Sequence, residues 1–344
     1  MNTLHTALRE LEKRQVLHIV HGVGIFVKEA GEHNENSTDA AAHENRDRKT
    51  GSIGLIASMA YQMPKNPFHI RLMGAITQAV TASQQHLLYL GTEHNWDVEA
   101  LHKVDGVLIL GSEELSPILQ KVPPEFPVIS LLAVAENVDS VGIDEYQAGH
   151  LAARHLLKAG HRRIACLMEK RPLECRRRFA GISDALLEAD IEVETDWLRL
   201  TDKVYGSHRS WKTDQPYREW ACEEMADWLQ NDWEETGCTA LIVQNEIAAI
   251  GAIQVMQAAG VRVPEEVSVI TFDGTDLCDL ISPHISAVAL PLEQIGIKAV
   301  EVLNRCIEQG KSKEVQAVVL PLHLRPGGSV HSLEAEQHLL VKSR

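Results

Sequence analysis

The chain has 344 residues, 44% of them apolar and 5% aromatic, and a formal net charge of −15 at pH 7. That length suits two or three domains whose cores are built mainly from Leu, Ile, Val and Ala, and the charge excludes a protein that coats nucleic acid over its whole surface, though not a small DNA-reading module on an acidic body. No uncharged apolar window of about 18 residues and no signal peptide appear, and the six cysteines (Cys166, Cys175, Cys222, Cys238, Cys278, Cys306) have no paired spacing, which predicts a cytoplasmic protein with reduced thiols, no membrane partner and no disulfide framework.

Leu4, Ala7, Leu8 and Leu11 recur at helical spacing and predict a helix from about Thr3 to Arg14. Two apolar runs, Val16 to Val20 and Ile25 to Val27, flank the glycine-tipped turn His21-Gly22-Val23-Gly24 and predict a β-hairpin. Residues 29–51 are polar and aperiodic, the pattern of a flexible linker. His33 and His43 within it have no partner spacing that would hold a metal.

A strand is expected at Ile53 to Ala57, and a helix entered through Asn66-Pro67-Phe68 and running to about Ser83, striped by Met73, Ile76, Ala79 and Val80. Further strands are expected at Leu87–Leu90, Val107–Leu110 and Val128–Leu132. Strands separated by helices imply parallel βαβ crossovers. A helix ending at Gly160 leads into a strand from Ile164. Between Leu198 and Gly237 the pattern loosens, and Trp211, Trp220, Trp228 and Trp233 fall there. Trp220, Met225 and Trp228 or Leu229 read as one core-facing side of a helix, which leaves Trp211, near Arg209 and Lys212, to stack on a ligand. From 239 to 328 strand-like runs alternate with helix-period runs, and Asn245 and Asp273 fall at strand ends. Ligands bind outside those carboxyl ends in open parallel sheets.

The run from Gln244-Asn245-Glu246 through AAGVRVPEEVSVITFDG (258–274), SPHISAV (282–288), PLEQIG (291–296) and LHLRPGGS (322–329) resembles the effector-binding core of the LacI/GalR regulators in order and spacing. HLLKAGHRRIA (155–165) and IGLI (53–56) extend the likeness toward the N-terminus. The resemblance implies a two-lobed, periplasmic-binding-protein-like α/β core with parallel sheets. Lobe 1 is then 52–160 with 289–316, lobe 2 is 161–288 with 317–330, and 331–344 is a tail. A small-molecule effector, a sugar or related polyol, would sit between the lobes, with no cofactor or metal and no turnover. A homodimer is implied as well.

Ser58, Phe68, His69 and Ser112 from the first lobe, and Asp144, Arg178, Trp211, Asn245 and Asp273, match the family's ligand positions or suit them chemically. Carboxylate, amide and guanidinium groups bind hydroxyls that both donate and accept, and Arg178 would supply a bidentate contact. Each has another reading. Asp273 and Asn245 are also helix-capping types; Arg178 can bind Asp184 or a backbone carbonyl; Ser58, Ser112 and His69 serve equally well as packing residues. Three departures, Gly274, Glu246 and Leu131-Leu132-Ala133 where relatives carry acidic or Asp-Arg residues, predict less polar grip than a hexose site has. No GxSxG, GxxxxGK, HExxH or GxGxxG motif marks an enzyme.

The N-terminal matches (Thr3, Leu4, Ala7 to Glu12, Val16-Leu17, Gly22, Gly24, Phe26-Val27) resemble the second half of a GntR-type winged helix-turn-helix. This implies a recognition helix and wing that present Thr3, His5, Thr6, Arg9, His21 and Gly22 to operator DNA. Two helices of that family have no counterpart after Met1, and so short a segment buries no core of its own. The expectation is a ligand-responsive DNA-binding regulator, of repressor type, whose coding start lies further upstream; the alternative is a small-molecule binding protein that has lost DNA binding with its incomplete head.

Overall fold

The computed structural model describes residues 17–20, 24–27, 49–57, 66–92, 95–110, 116–132, 137–202, 216–312 and 314–333. The chain divides into two units, 1–48 and 49–344. In the first, β1 (Leu17–Val20) and β2 (Gly24–Val27) pair antiparallel with Leu17 opposite Val27, which is the hairpin the alternating runs predict. The helix expected over 3–14, and with it Thr3, His5, Thr6, Arg9, His21 and Gly22, lies outside the described residues.

The second unit begins with β3 (Ser52–Ala57), α1 (Pro67–Ala82), β4 (His86–Thr92), β5 (Asn95–Trp96), β6 (Gly106–Leu110), α2 (Ser116–Leu119), β7 (Val128–Leu132) and β8 (Asp139–Gly142). It continues through α3 (Glu145–Lys158), β9 (Ile164–Glu169), α4 (Leu173–Leu187), β10 (Leu198–Thr201), α5 (Pro216–Asn231), α6 (Trp233–Thr236), β11 (Ala240–Val243) and α7 (Glu246–Ala258). Last come β12 (Ser268–Asp273), β13 (Ser286–Ala289), α8 (Leu292–Gln309), β14 (Ala317–Val319) and β15 (His323–Arg325). Asn66 starts α1, its side chain accepting from the Phe68 amide at 3.0 Å while Pro67 takes the first turn.

Two sheets result. One has the order β14-β8-β7-β6-β3-β4-β5, parallel except for β5; the other runs β10-β9-β11-β12-β13-β15, parallel except for β15. Side chains alternate between the faces of each strand, and here both faces are apolar because both are covered. On β3 and β6, Leu55, Leu108 and Leu110 pack toward α1 and α8, while Ile56, Val107 and Ile109 enter a second core with Trp96 and Ile118. In the other sheet Leu167, Leu241 and Val269 meet α5 and α7, and Cys166, Ile242 and Phe272 meet α3 and α4. Trp220, Met225 and Trp228 are core residues on α5, as their spacing predicts.

The expected lobe boundaries need correction. The chain passes between the sheets at 143–144, 290–291 and 320–322, not at 160–161, 288–289 and 316–317. Helix α3 buries Ala148, Ala152, Ala153 and Leu156 with Ile164 and Met168, so it belongs to the second lobe. Strand β13 ends the second sheet's parallel run, while β14 joins β8 at the edge of the first. Packing decides this: a Cβ on Gly149 would overlap the Arg178 carbonyl oxygen, and one on Gly181 the Tyr146 carbonyl oxygen, so α3 and α4 cross at backbone contact. No described helix is long and apolar enough to cross a membrane.

Candidate functional site

The C-terminal edge of the second sheet gathers the polar groups. Strand β12 ends at Asp273, whose φ of 74° lies in the left-handed region that costs a non-glycine residue about 1 kcal/mol or more. Its carbonyl accepts from the Leu290 amide at 3.1 Å, tying the strand end to the second chain crossing. Its carboxyl group is partly buried. Burial raises its pKa, Arg178 opposes that rise, and Glu246, Glu145 and Glu174 add to it, leaving the group at about 7.

Arg178 comes from the second turn of α4 and is only 6% exposed. Its Nε donates to Glu145 Oε2 at 2.6 Å, its Nη1 donates to the Gln244 carbonyl at 2.9 Å, and its guanidinium lies 4.4 Å from the centre of the Phe272 ring. Burial works against the charged form, but Glu145 and Asp273 outweigh it and hold the guanidinium above its ordinary pKa. Of its two alternative readings, the backbone carbonyl is realised and Asp184 is not; Asp184 accepts from the Tyr146 hydroxyl at 2.8 Å.

Asn245 follows β11 and caps α7, its Oδ1 accepting from the Ala248 amide at 2.9 Å. The amide nitrogen is left as the donor it can offer a ligand. Asp144 likewise caps α3, accepting from the Gln147 amide at 3.1 Å, and is exposed beside the first chain crossing. Phe68 and His69 lie buried at the start of α1, edge to face with ring centres 5.5 Å apart. Burial lowers the His69 pKa to about 4, so the ring is neutral at pH 7. Arg178, Asn245 and Asp273 are thus brought together in the second lobe, while Phe68 and His69 stand at the matching strand end of the first. Ser58, Ser112 and Trp211 lie outside the described residues.

Several participants escaped the sequence reading. Buried Gln244 accepts from the Glu169 amide at 2.6 Å and donates to Glu169 Oε2 at 3.1 Å, which fixes the carbonyl that receives Arg178. Glu246, read as a departure from the family pattern, is buried; its carboxylate accepts from the Thr275 amide at 2.7 Å, from the Thr275 hydroxyl and from Cys278. Burial raises its pKa, and those hydrogen bonds oppose the rise. Arg325 completes the brace by donating to the Thr275 carbonyl at 3.1 Å and pairing with Asp279. The braced loop reaches the other lobe. Arg71 on α1 pairs with Asp276 at 3.6 Å and with Glu293 at 2.6 Å.

Residues 153–330 match the family described as periplasmic binding protein-like domain. The chain belongs to that family. The HTH-type transcriptional repressor PurR of Aliivibrio salmonicida is 26% identical over 309 residues, which are 86% of this chain and 86% of the relative. Two solved structures show the same periplasmic-binding-protein-like fold. The transcriptional regulator CelR in complex with cellobiose gives a TM-score of 0.69 at 23% identity, covering 82% of this chain and 85% of that one. A LacI family transcriptional regulator from Enterococcus faecium, with bound ribose, gives 0.66 at 23% identity, covering 82% and 99%.

Proposed function

We propose that the protein is a ligand-responsive transcription regulator of the LacI/GalR type, a repressor acting in the cytoplasm as a homodimer on paired operator half-sites. The observation that carries the effector site is the meeting of Arg178, Asn245 and Asp273 at the C-terminal edge of the second sheet. The effector is a small polar molecule of the sugar or polyol kind. Arg178, already engaged by Glu145 and Gln244, acts chiefly to orient, while Asp273 accepts hydrogen bonds, the Asn245 amide donates one, and Phe68 forms an apolar wall on the first lobe.

Regulation requires that the effector prefer one arrangement of the lobes, since a ligand shifts an equilibrium only by its differential affinity. Asp273 suits that role: its backbone is tied to the 290–291 crossing, and its loop meets Arg71 of the first lobe. A change in lobe arrangement alters the spacing of the two DNA-reading heads and so their fit to two half-sites. The β1–β2 hairpin is read as the wing of a GntR-type head, with Thr3, His5, Thr6 and Arg9 on its recognition helix.

Two measurements test this reading. A thermal-shift panel of sugars, polyols and purines is expected to yield a stabilising ligand whose effect disappears in Asp273→Ala. Fluorescence anisotropy with DNA from the gene's own upstream region is expected to show binding that this ligand changes. Ligand binding without any DNA response would overturn the regulatory part, and a panel with no stabilising compound would overturn the site.

A further inference from the structure

The charge balance around Asp273 is one-sided. Glu145, held by Arg178 beside the Phe272 ring, and Glu246, bonded to Thr275, flank Asp273 on either side; together with Glu174 they act on its carboxyl group, and Arg178 is the guanidinium set against them. Its hydrogen bonds go elsewhere, from Nε to Glu145 at 2.6 Å and from Nη1 to the Gln244 carbonyl at 2.9 Å, so it bears on Asp273 through charge. The next cation along, Arg325, serves Asp279 and the Thr275 carbonyl. Glu246 takes up the Thr275 amide, the Thr275 hydroxyl and the Cys278 thiol. Among the described residues none donates a hydrogen bond to the Asp273 carboxylate, although it is partly withdrawn from water and held by a backbone in the left-handed region.

An acceptor so placed selects by charge. An anionic ligand adds a like charge to a desolvated acidic cluster, where repulsion is strongest. A neutral polyol supplies hydrogen bonds but leaves the excess charge in place. A protonated amine supplies both the donors and the countercharge, in charge-assisted hydrogen bonds roughly twice as strong as neutral ones.

We propose that, in the cleft put forward above as the effector site, the effector carries a positively charged nitrogen, as an amino sugar or similar polar amine does, which docks on Asp273, and that phosphorylated and carboxylated compounds are rejected. The proposal depends on that reading of the cleft and adds the charge class of its occupant.

Isothermal titration of the full chain at neutral pH, where the amines are protonated, with ligands matched in shape but not in charge, tests it: D-glucose, D-glucosamine and D-gluconate as one set, and 1,4-butanediol, putrescine and succinate as another. The amine of at least one set is expected to bind about tenfold or more tightly than its neutral partner, with the anion silent, and Asp273→Asn is expected to erase that preference. A neutral or anionic member that binds as well as its amine overturns the charge inference and leaves the effector site standing. An amine preference that survives in Asp273→Asn, with the variant's melting curve intact, also overturns it. If nothing binds in either set or in the wider sugar and purine panel, the cleft reading falls, and this inference with it.

Discussion

At neutral pH Asp273 sits near the midpoint of its titration, because burial and the carboxyl groups of Glu246, Glu145 and Glu174 lift it from 3.8 to about 7 against the pull of Arg178. The folded protein therefore holds this proton more tightly than the unfolded chain does. The stability it contributes is whole below 3.8 and is lost as pH rises through about 7. Asp273→Asn is expected to remove that decline, so the variant should gain stability relative to the parent protein as pH rises; parallel melting profiles for the two across this range would refute the assignment. Arg178→Ala leaves the largely covered Glu145 without its cation, and breaking a pair so far withdrawn from water costs up to about 3 kcal/mol. Denaturant unfolding should show that loss, and a variant as stable as the parent would mean that the pair is not formed in solution. Asp273 and Asn245 were legible as candidates because a polar residue at the end of an apolar strand stands out against its neighbours, whereas Arg178, third in the run Arg176-Arg177-Arg178, was singled out by its match to the family pattern. Glu145 and Gln244 were not, since their part comes from hydrogen bonds to a residue 33 and 66 positions away.

Elements were readable to the extent that their pattern was internal. Strands β3, β6, β7 and β12 are short, mostly apolar runs, broken only by Ser130 in β7 and Thr271 in β12 between their ends, and α5 shows its buried side through Trp220, Met225 and Trp228. The two-residue β5 and the edge strands β10, β14 and β15 carry too few side chains to announce a period. Helix α3 was read as a helix but assigned to the wrong lobe, because periodicity says which face is apolar and not which sheet will cover it. The glycines at the α3–α4 crossing settle that question in the structure. Gly181→Ala places a methyl group against the Tyr146 carbonyl oxygen and must push the helices apart; overpacking of this kind costs about 1 to 3 kcal/mol. The same shift moves the helix that carries Arg178. Weakened effector binding together with a lowered melting temperature is expected, and a fully stable variant with normal binding would show that the crossing tolerates the added carbon.

At the scale of the whole sensor unit, Arg71 is the side chain that joins α1 of one lobe to the loop after β12 of the other. Asp276 is 88% exposed, so the pair is screened by solvent and adds little to stability. Its value lies in biasing the relation between lobes. Arg71→Ala is expected to leave the melting temperature nearly unchanged while broadening the distance distribution between spin labels placed on the two lobes, and an unaltered distribution would deny the contact that role. The three chain crossings have a further consequence, for how the molecule comes into being. Neither half is written as a continuous message: the first sheet waits for α8 and β14, and the second for β15. During synthesis the first half remains unfinished until the ribosome has passed residue 319 and the second until it has passed 325, so the two close almost together, and contacts of long sequence separation should make the birth of this protein slow.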